Sequence, residues 1–263
     1  MKIKIVIAGH GPVGKAVEAA LANHPHVQTI IDDPIYLPLV FDPPEDVDGV
    51  VVCVSTPETE DGSCETQNVQ SVFEKYGDTK YLVKSAVDPM WVAQNSPKQT
   101  TVSPEFLRGT TGANPTQDFI NQAFAIYGGG EMRWWHELFK PVLPKLETVR
   151  FVSLQQAAFA KYVENTFLAT KVTFFNEMYQ IYKSMEHAGF KDFDVMVEAI
   201  CIDPRIGFSH TQVPGPDGEF GYGGHCFPKD IAALRNVAHR NAAETPLLDA
   251  VIETNDKYRN EDV

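Results

Sequence analysis

The sequence predicts a two-domain α/β protein, with a doubly wound, mostly parallel sheet over residues 1–150 and an all-helical domain over residues 151–263 built on one long central helix. Two stretches carry that prediction. Residues 3–8, Ile-Lys-Ile-Val-Ile-Ala, form a β-branched apolar run that leads into Gly9-His10-Gly11-Pro12-Val13-Gly14 and then into a helical pattern through Ala16, Val17, Ala20 and Leu21. Strand, GxGxxG and helix in that order form the dinucleotide-binding start of a Rossmann-type fold. The glycines allow a tight turn and a close backbone approach, and the helix N-terminus faces the pyrophosphate. The second stretch runs from about Gln155 to Ala188 without Pro or Gly and is stopped by Gly189. About 34 residues of helix would span ~50 Å.

The other elements follow in order. A second strand, Val27 to Ile31, ends at Asp32-Asp33. A carboxylate there accepts hydrogen bonds from the adenosine ribose and repels a 2′-phosphate, which favours NAD over NADP. Gly9, Gly11, Val13, Gly14 and Asp32 therefore form the first part of a cofactor site. Further strands are expected at Gly49–Val54 and Tyr81–Lys84, with helices between and after them. On the long helix, Phe159, Val163, Phe167, Phe174, Met178, Ile181 and Met185 form one apolar stripe, and Leu168, Val172, Phe175, Tyr179 and Tyr182 form another. A helix apolar nearly all round is covered on both sides, so it is expected to be central or to form a homodimer. Shorter helices are expected at Asp192–Ile200, Lys229–Asn241 and Pro246–Tyr258, with a Gly/Pro-rich loop at Val213–Gly224.

The net charge of −13 over 263 residues argues against nucleic acid or an anionic membrane as partner, while leaving room for a locally positive pocket. Cys53, Cys64, Cys201 and Cys226 show no metal-ligand spacing and no CxxC, so no metal site is expected. The apolar run at residues 3–8 is too short for a signal peptide or a membrane span. These features predict a cytoplasmic protein with reduced thiols.

The most specific chemistry lies in Gly221-Tyr222-Gly223-Gly224-His225-Cys226-Phe227-Pro228-Lys229-Asp230. A cysteine in a glycine-rich turn, ahead of a helix that begins at proline and beside Lys229, sits where a helix dipole and an ammonium both favour thiolate. On the long helix, Lys161 and Asn165 are spaced i,i+4, so an ammonium and an amide can converge on a developing oxyanion. Glu105, in a Pro-Glu-Phe-Leu turn, offers a base for water. Asp230, in the first turn of a helix, is equally well placed as a dipole partner.

The cysteine block closely resembles the active-site motif of the UDP-glucose/GDP-mannose dehydrogenase family, GFGGSCFPKD, differing at Tyr222 and His225 alone. Other pieces match in chain order: Val54-Ser55-Thr56-Pro57 with Asp61-Gly62, Lys84-Ser85-Ala86-Val87, Ser103-Pro104-Glu105-Phe106-Leu107-Arg108, Lys161 with Asn165, and Asp203-Pro204-Arg205-Ile206-Gly207. The resemblance implies an NAD-dependent dehydrogenase that oxidises a sugar or nucleotide-sugar primary alcohol to the uronic acid in two hydride transfers. By it, Cys226 carries the thiohemiacetal and thioester, Lys161 and Asn165 hold the oxyanion, and Glu105 or Asp230 assists water. Ser55, Thr56 and Ser85 join the cofactor site, and Arg205, Phe106, Leu107, Gly223 and Lys229 bind substrate. Arg205 would reach a neighbouring subunit's substrate, in a homodimer formed through the long helix.

The departures from the motif are specific. Ala86 replaces a threonine, Arg108 is followed by Gly109 and Thr110 where the family has a second acid, and the stretch from Asp32 to Pro57 looks short. With the chain ending at Val263, the resemblance is to a minimal form lacking the C-terminal UDP-binding domain, and weak recognition of the nucleotide is expected. Two alternatives stand beside this reading. One is a β-hydroxyacid dehydrogenase-like single hydride transfer, which needs no cysteine. The other is an NAD-binding protein that has lost catalysis, which Ala86 and the missing acid motivate.

Overall fold

A computed structural model describes residues 2–35, 44, 46–107 and 114–260, which form two compact units that divide between Tyr162 and Val163. Arg108, Gly109 and Thr110 lie outside the described residues, as does most of the segment between Ile35 and Asp46.

In the first unit the chain runs β1 (Ile3–Ala8), α1 (Pro12–Leu21), β2 (Val27–Asp32), β3 (Gly49–Val52), α2 (Gln67–Tyr76), β4 (Tyr81–Val83), α3 (Pro89–Asn95), β5 (Thr100–Val102), α4 (Pro115–Ile120), β6 (Phe124–Gly129), α5 (Met132–Phe139) and β7 (Thr148–Val152). The seven strands form one sheet in the order β2-β1-β3-β4-β5-β6-β7, parallel at every pair except β5–β6. Alternate side chains of β1 serve two cores. Ile5 and Ile7 pack with Val17, Leu21, Phe119 and Trp135. Val6 and Ala8 pack with Val69, Phe73 and Val92 on the other face. A sheet covered on both faces explains why its strands read as continuous apolar runs. The chain leaves β1 for β2 on one side and places β3 on the other, so the crevice at the carboxyl ends of β1 and β3 is the switch point of the sheet.

The long helix α6 spans Leu154–Ser184, and a single 3₁₀ turn at Glu186–Ala188 carries the chain to Gly189 in the left-handed region. The predicted run of helix therefore ends about one turn early. The second unit adds α7 (Phe193–Cys201), α8 (Phe227–Arg240) and α9 (Pro246–Asn260). Phe175 of α6 packs with Phe193, Val197 and Cys201 of α7, while Ala169 packs with Tyr222, Ile231 and Val251. Much of the other stripe is bare, with Phe167 64% exposed and Phe174 52%, while Met178 packs beside Phe193 and Val197. The cover expected on both sides of α6 is thus present on one side in the single chain. Among the described residues, no helix is long and apolar enough to cross a membrane, and no group of three or more His, Cys, Asp and Glu side chains forms a metal site.

Candidate active site

The glycine-rich turn after β1 meets the requirements of a nucleotide cradle. A Cβ on Gly14 would lie 2.1 Å from the Gly9 carbonyl oxygen, so only glycine lets α1 approach the turn this closely. A Cβ on Gly11, by contrast, would meet nothing within 4 Å. That open space beside the N-terminus of α1 is where a pyrophosphate would come close to the backbone. Val13 sits half-buried in the first turn. The Gly9 amide donates to the Asp32 carbonyl at 2.9 Å, and the His10 amide donates to Asp33 Oδ2 at 2.6 Å, tying the turn to the end of β2.

Asp32 is more occupied than its sequence position suggests. Lys75 Nζ donates to both of its oxygens at 2.9 and 2.8 Å, and the Tyr76 hydroxyl donates to Oδ2 at 2.8 Å. A carboxylate has about four lone-pair positions, so roughly one remains for a ribose hydroxyl. Burial, and next the adjacent Asp32, pushes the Tyr76 phenol well above its ordinary range, so it stays a donor. Thr56 donates its hydroxyl to the Ala86 carbonyl at 2.7 Å, and Ser85 donates to Val54 at 2.6 Å. These two hydroxyls lace the ends of β3 and β4 together. Ser55 receives Asn68 Nδ2 on its carbonyl at 3.0 Å. What this set offers a cofactor is mainly backbone placement. The residues present fit NAD.

Next to this cradle lies a buried polar cluster in which Glu105 is joined by a residue that sequence reasoning did not single out. Lys84 Nζ stands 3.6 Å from Glu105 Oε2 and 3.4 Å from Ser103 Oγ, and 5.1 Å from the centre of the Phe119 ring. The side chains of Lys84 and Glu105 are 4% and 8% exposed. Glu105 Oε1 accepts the Phe106 amide at 2.9 Å, while Oε2 accepts no hydrogen bond among the described residues. Burial pushes the nearby Cys53 thiol up to about 12, with Lys84 opposing and Glu105 adding to the shift. Cys53 is therefore held as a thiol rather than a thiolate at neutral pH. Leu107 packs on the core beneath the sheet, and Lys161 Nζ rests 4.9 Å from the centre of the Phe106 ring. The signal for Lys84 was its place at the end of a buried apolar strand, where an ammonium needs a partner.

In the second unit, Cys226 is exposed at the N-cap position of α8 and its side chain makes no capping hydrogen bond. Asp230, one turn on and 1% exposed, accepts Asn165 Nδ2 at 2.5 Å and the ammonium of Lys229. The structure thus brings together Asn165, Lys229 and Asp230 in the turn that Cys226 opens. Lys229 spends its charge on Asp230, which differs from the expected position beside the sulfur alone. Gly223 lies against the Arg259 guanidinium.

Arg205 is 88% exposed and forks onto Asp203 through Nε at 3.0 Å and Nη2 at 2.6 Å. Each holds the other charged: Asp203 raises the guanidinium and Arg205 lowers the carboxyl. Lys171 of α6 fastens the same turn by donating to the carbonyls of Ile206 and Gly207 at 2.8 and 3.0 Å. Burial, and next Lys171, pushes His210 below its usual 6.5. The folded chain therefore resists protonation there, whereas the unfolded chain takes up a proton as pH falls through about 6.5. Stability contributed by neutral His210 is full above that pH and declines below it. Melting curves from pH 7.5 to 5 should fall less steeply for His210→Gln than for the parent. Equal slopes would show that His210 titrates normally.

Residues 155–257 match the central domain of the UDP-glucose/GDP-mannose dehydrogenase family. The chain is 30% identical over 301 residues to YtcA of Bacillus subtilis (strain 168), provisionally named a UDP-glucose 6-dehydrogenase, covering 97% of this chain and 68% of that protein. Several other curated relatives are spanned over about half their length, 49% in one case. Among solved structures, a UDP-glucose dehydrogenase from Pyrobaculum islandicum superposes with a TM-score of 0.75 at 24% identity, over 97% of this chain and 68% of that one. A 3-hydroxyisobutyrate dehydrogenase of Mycobacterium tuberculosis superposes with a TM-score of 0.70 at 16% identity, over 99% and 95%. These two structures show the shared fold.

Proposed function

Because the chain belongs to the UDP-glucose/GDP-mannose dehydrogenase family, whose members are NAD-dependent oxidoreductases, we propose that it oxidises the primary alcohol of a sugar or nucleotide sugar to the uronic acid through a Cys226 adduct. The observation that carries the proposal is the exposed Cys226 at the start of α8, above the Asn165–Asp230–Lys229 cluster. NAD, when bound, supplies the hydride acceptor, with two equivalents consumed per acid. The Gly9–Gly14 turn and Asp32 would hold it.

The protein's own residues account for the rest. The Cys226 thiolate adds to the aldehyde carbon and gives a thiohemiacetal, whose oxygen carries the developing charge. Asn165 has a second amide proton beyond the one given to Asp230, and with the Lys161 ammonium it is assigned to that oxygen. Oxidation of the adduct leaves a thioester. Water then cleaves the carbon–sulfur bond, and the thiol returns to Cys226. Glu105 or Asp230 is assigned as the base for that water; among the described residues Glu105 Oε2 accepts no hydrogen bond, whereas Asp230 is engaged by both Lys229 and Asn165. Arg205 and Lys229, with Phe106, Leu107 and Gly223, are assigned to substrate. A reducing cytoplasmic setting suits a reactive Cys226.

The purified protein should produce NADH with one or more members of a panel of UDP- and GDP-sugars, at two NADH per acid formed. One NADH per product would favour the single-transfer reading, which the fold shared with the 3-hydroxyisobutyrate enzyme motivates. Binding of NAD without any NADH would favour a chain that has lost catalysis.

The bare stripe of α6, at Val163, Phe167, Phe174 and Ile181, is assigned to a homodimer. Phe167→Asp with Phe174→Asp should convert a dimer to a monomer in sedimentation velocity. A parent that sediments as a monomer would remove the assignment.

A further inference from the structure

We infer that Asn176 and Asn255, helped by Arg259, are positioning residues for Cys226, which they serve by holding the backbone of the glycine turn in front of it. This rests on the proposed role of Cys226. Gly221 and Tyr222 lie outside any helix or strand, yet their four main-chain polar groups are bonded by side chains. The Gly221 amide donates to Asn176 Oδ1 at 2.9 Å, and the Tyr222 amide donates to Asn255 Oδ1 at 2.6 Å. Arg259 gives Nη2 to the Gly221 carbonyl and Nε to the Tyr222 carbonyl, both at 3.1 Å, and its Nη1 is anchored 2.9 Å from Asp217 Oδ2.

Asn176 is fully buried and Asn255 is 5% exposed. Burying an amide is costly unless its partners are present. Asn176 is satisfied in both directions, because Nδ2 donates to the Val172 carbonyl at 2.9 Å. That donor and the Gly221 acceptor requirement together fix the orientation of the amide. Gly221 adopts φ +74, and a Cβ there would fall 2.5 Å from Asn255 Oδ1. The turn and its clamp therefore fit no other residue.

The clamp has a counterpart at the far end of the segment. Asn165 and Asn176 are eleven residues apart on α6, about three turns and ~16 Å on one face. Asn176 holds Gly221, and Asn165 holds Asp230. The segment carrying Cys226 is thus pinned on both sides of the thiol by two buried asparagines of one helix. An apolar residue at Asn176 would pack equally well on a helix face but leave the turn free to move.

The test compares Asn176→Leu with Asn176→Asp, which keeps the acceptor for Gly221. Hydrogen exchange read by mass spectrometry should rise at least tenfold in peptides covering Gly221–Cys226 of the leucine variant, while peptides from α7 and from β1 to β4 stay within twofold of the parent. In the dehydrogenase assay kcat should fall at least tenfold with the Kd for NAD unchanged, and the aspartate variant, which keeps the acceptor for Gly221 but loses the donor to Val172, should recover part of both losses. Exchange that is unchanged at the turn, or raised equally throughout the chain, would overturn the inference. If Asn176→Leu does not fold, Asn255→Ser withdraws the acceptor from Tyr222 and carries the same readouts. A parent that makes no NADH would refute the dehydrogenase reading while the exchange measurement still decides the clamp.

Discussion

Replacing Lys84 by methionine should destabilise the first unit by about 3–5 kcal/mol, the range for removing one member of a buried ion pair. The cause is the group left behind. Glu105 is 8% exposed, its Oε2 is 3.6 Å from Lys84 Nζ, and that oxygen accepts no hydrogen bond among the described residues. Without the ammonium, a carboxylate would remain buried near Cys53 and Tyr127 with no other ion-pair partner among the described residues. Lys84 also loses its contact with the Phe119 ring, a smaller term of about 1 kcal/mol. The double variant Lys84→Met with Glu105→Gln should recover much of the loss, because the pair is then replaced by groups that need no counter-charge. Urea unfolding of the parent, both single variants and the double variant measures the coupling directly. A loss below about 1 kcal/mol for Lys84→Met would show that water reaches Glu105 and that the cluster is not an isolated pair.

That cluster marks where the sequence stopped being legible. The cradle was readable because its signal is local: a β-branched strand, three spaced glycines and an amphipathic helix follow one another within Ile3–Leu21. The cysteine turn was readable for the same reason. Lys84 and Glu105 lie twenty-one positions apart and meet only because β4 and β5 are neighbours in the sheet, which no local pattern states. β5, Thr100–Val102, is three residues long with two buried threonines, too short and too polar to register as a strand. β6 and β7 were also missed, since β6 ends in glycines and β7 exposes much of its length. Asn176 and Asn255 look like ordinary polar positions on helices, and their partners are 45 and 33 residues away. The long helix was legible in extent, but its periodicity did not reveal which stripe the single chain would bury.

Cys226→Ser should abolish acid formation, with a fall of at least ~10³-fold, while NAD binding and folding persist. A serine hydroxyl is a far weaker nucleophile than a thiolate unless a base activates it. Among the described residues no His or carboxylate is bonded to Cys226, and Asp230, one turn on, is held by Asn165 and Lys229. At 1.36 kcal/mol per tenfold, the loss corresponds to about 4 kcal/mol of barrier. The substitution is mild for the fold. Cys226 is exposed, occupies the N-cap position of α8 and makes no capping bond, and serine is among the preferred residues there. The melting temperature should therefore hold or rise slightly, which separates lost chemistry from lost structure. The variant should still give the first NADH of each turnover if the aldehyde can escape, and the ratio of NADH to acid would then climb far above two. Retention of full acid formation by Cys226→Ser would eliminate the covalent route, and it would leave hydride transfer without an adduct as the reaction this fold performs.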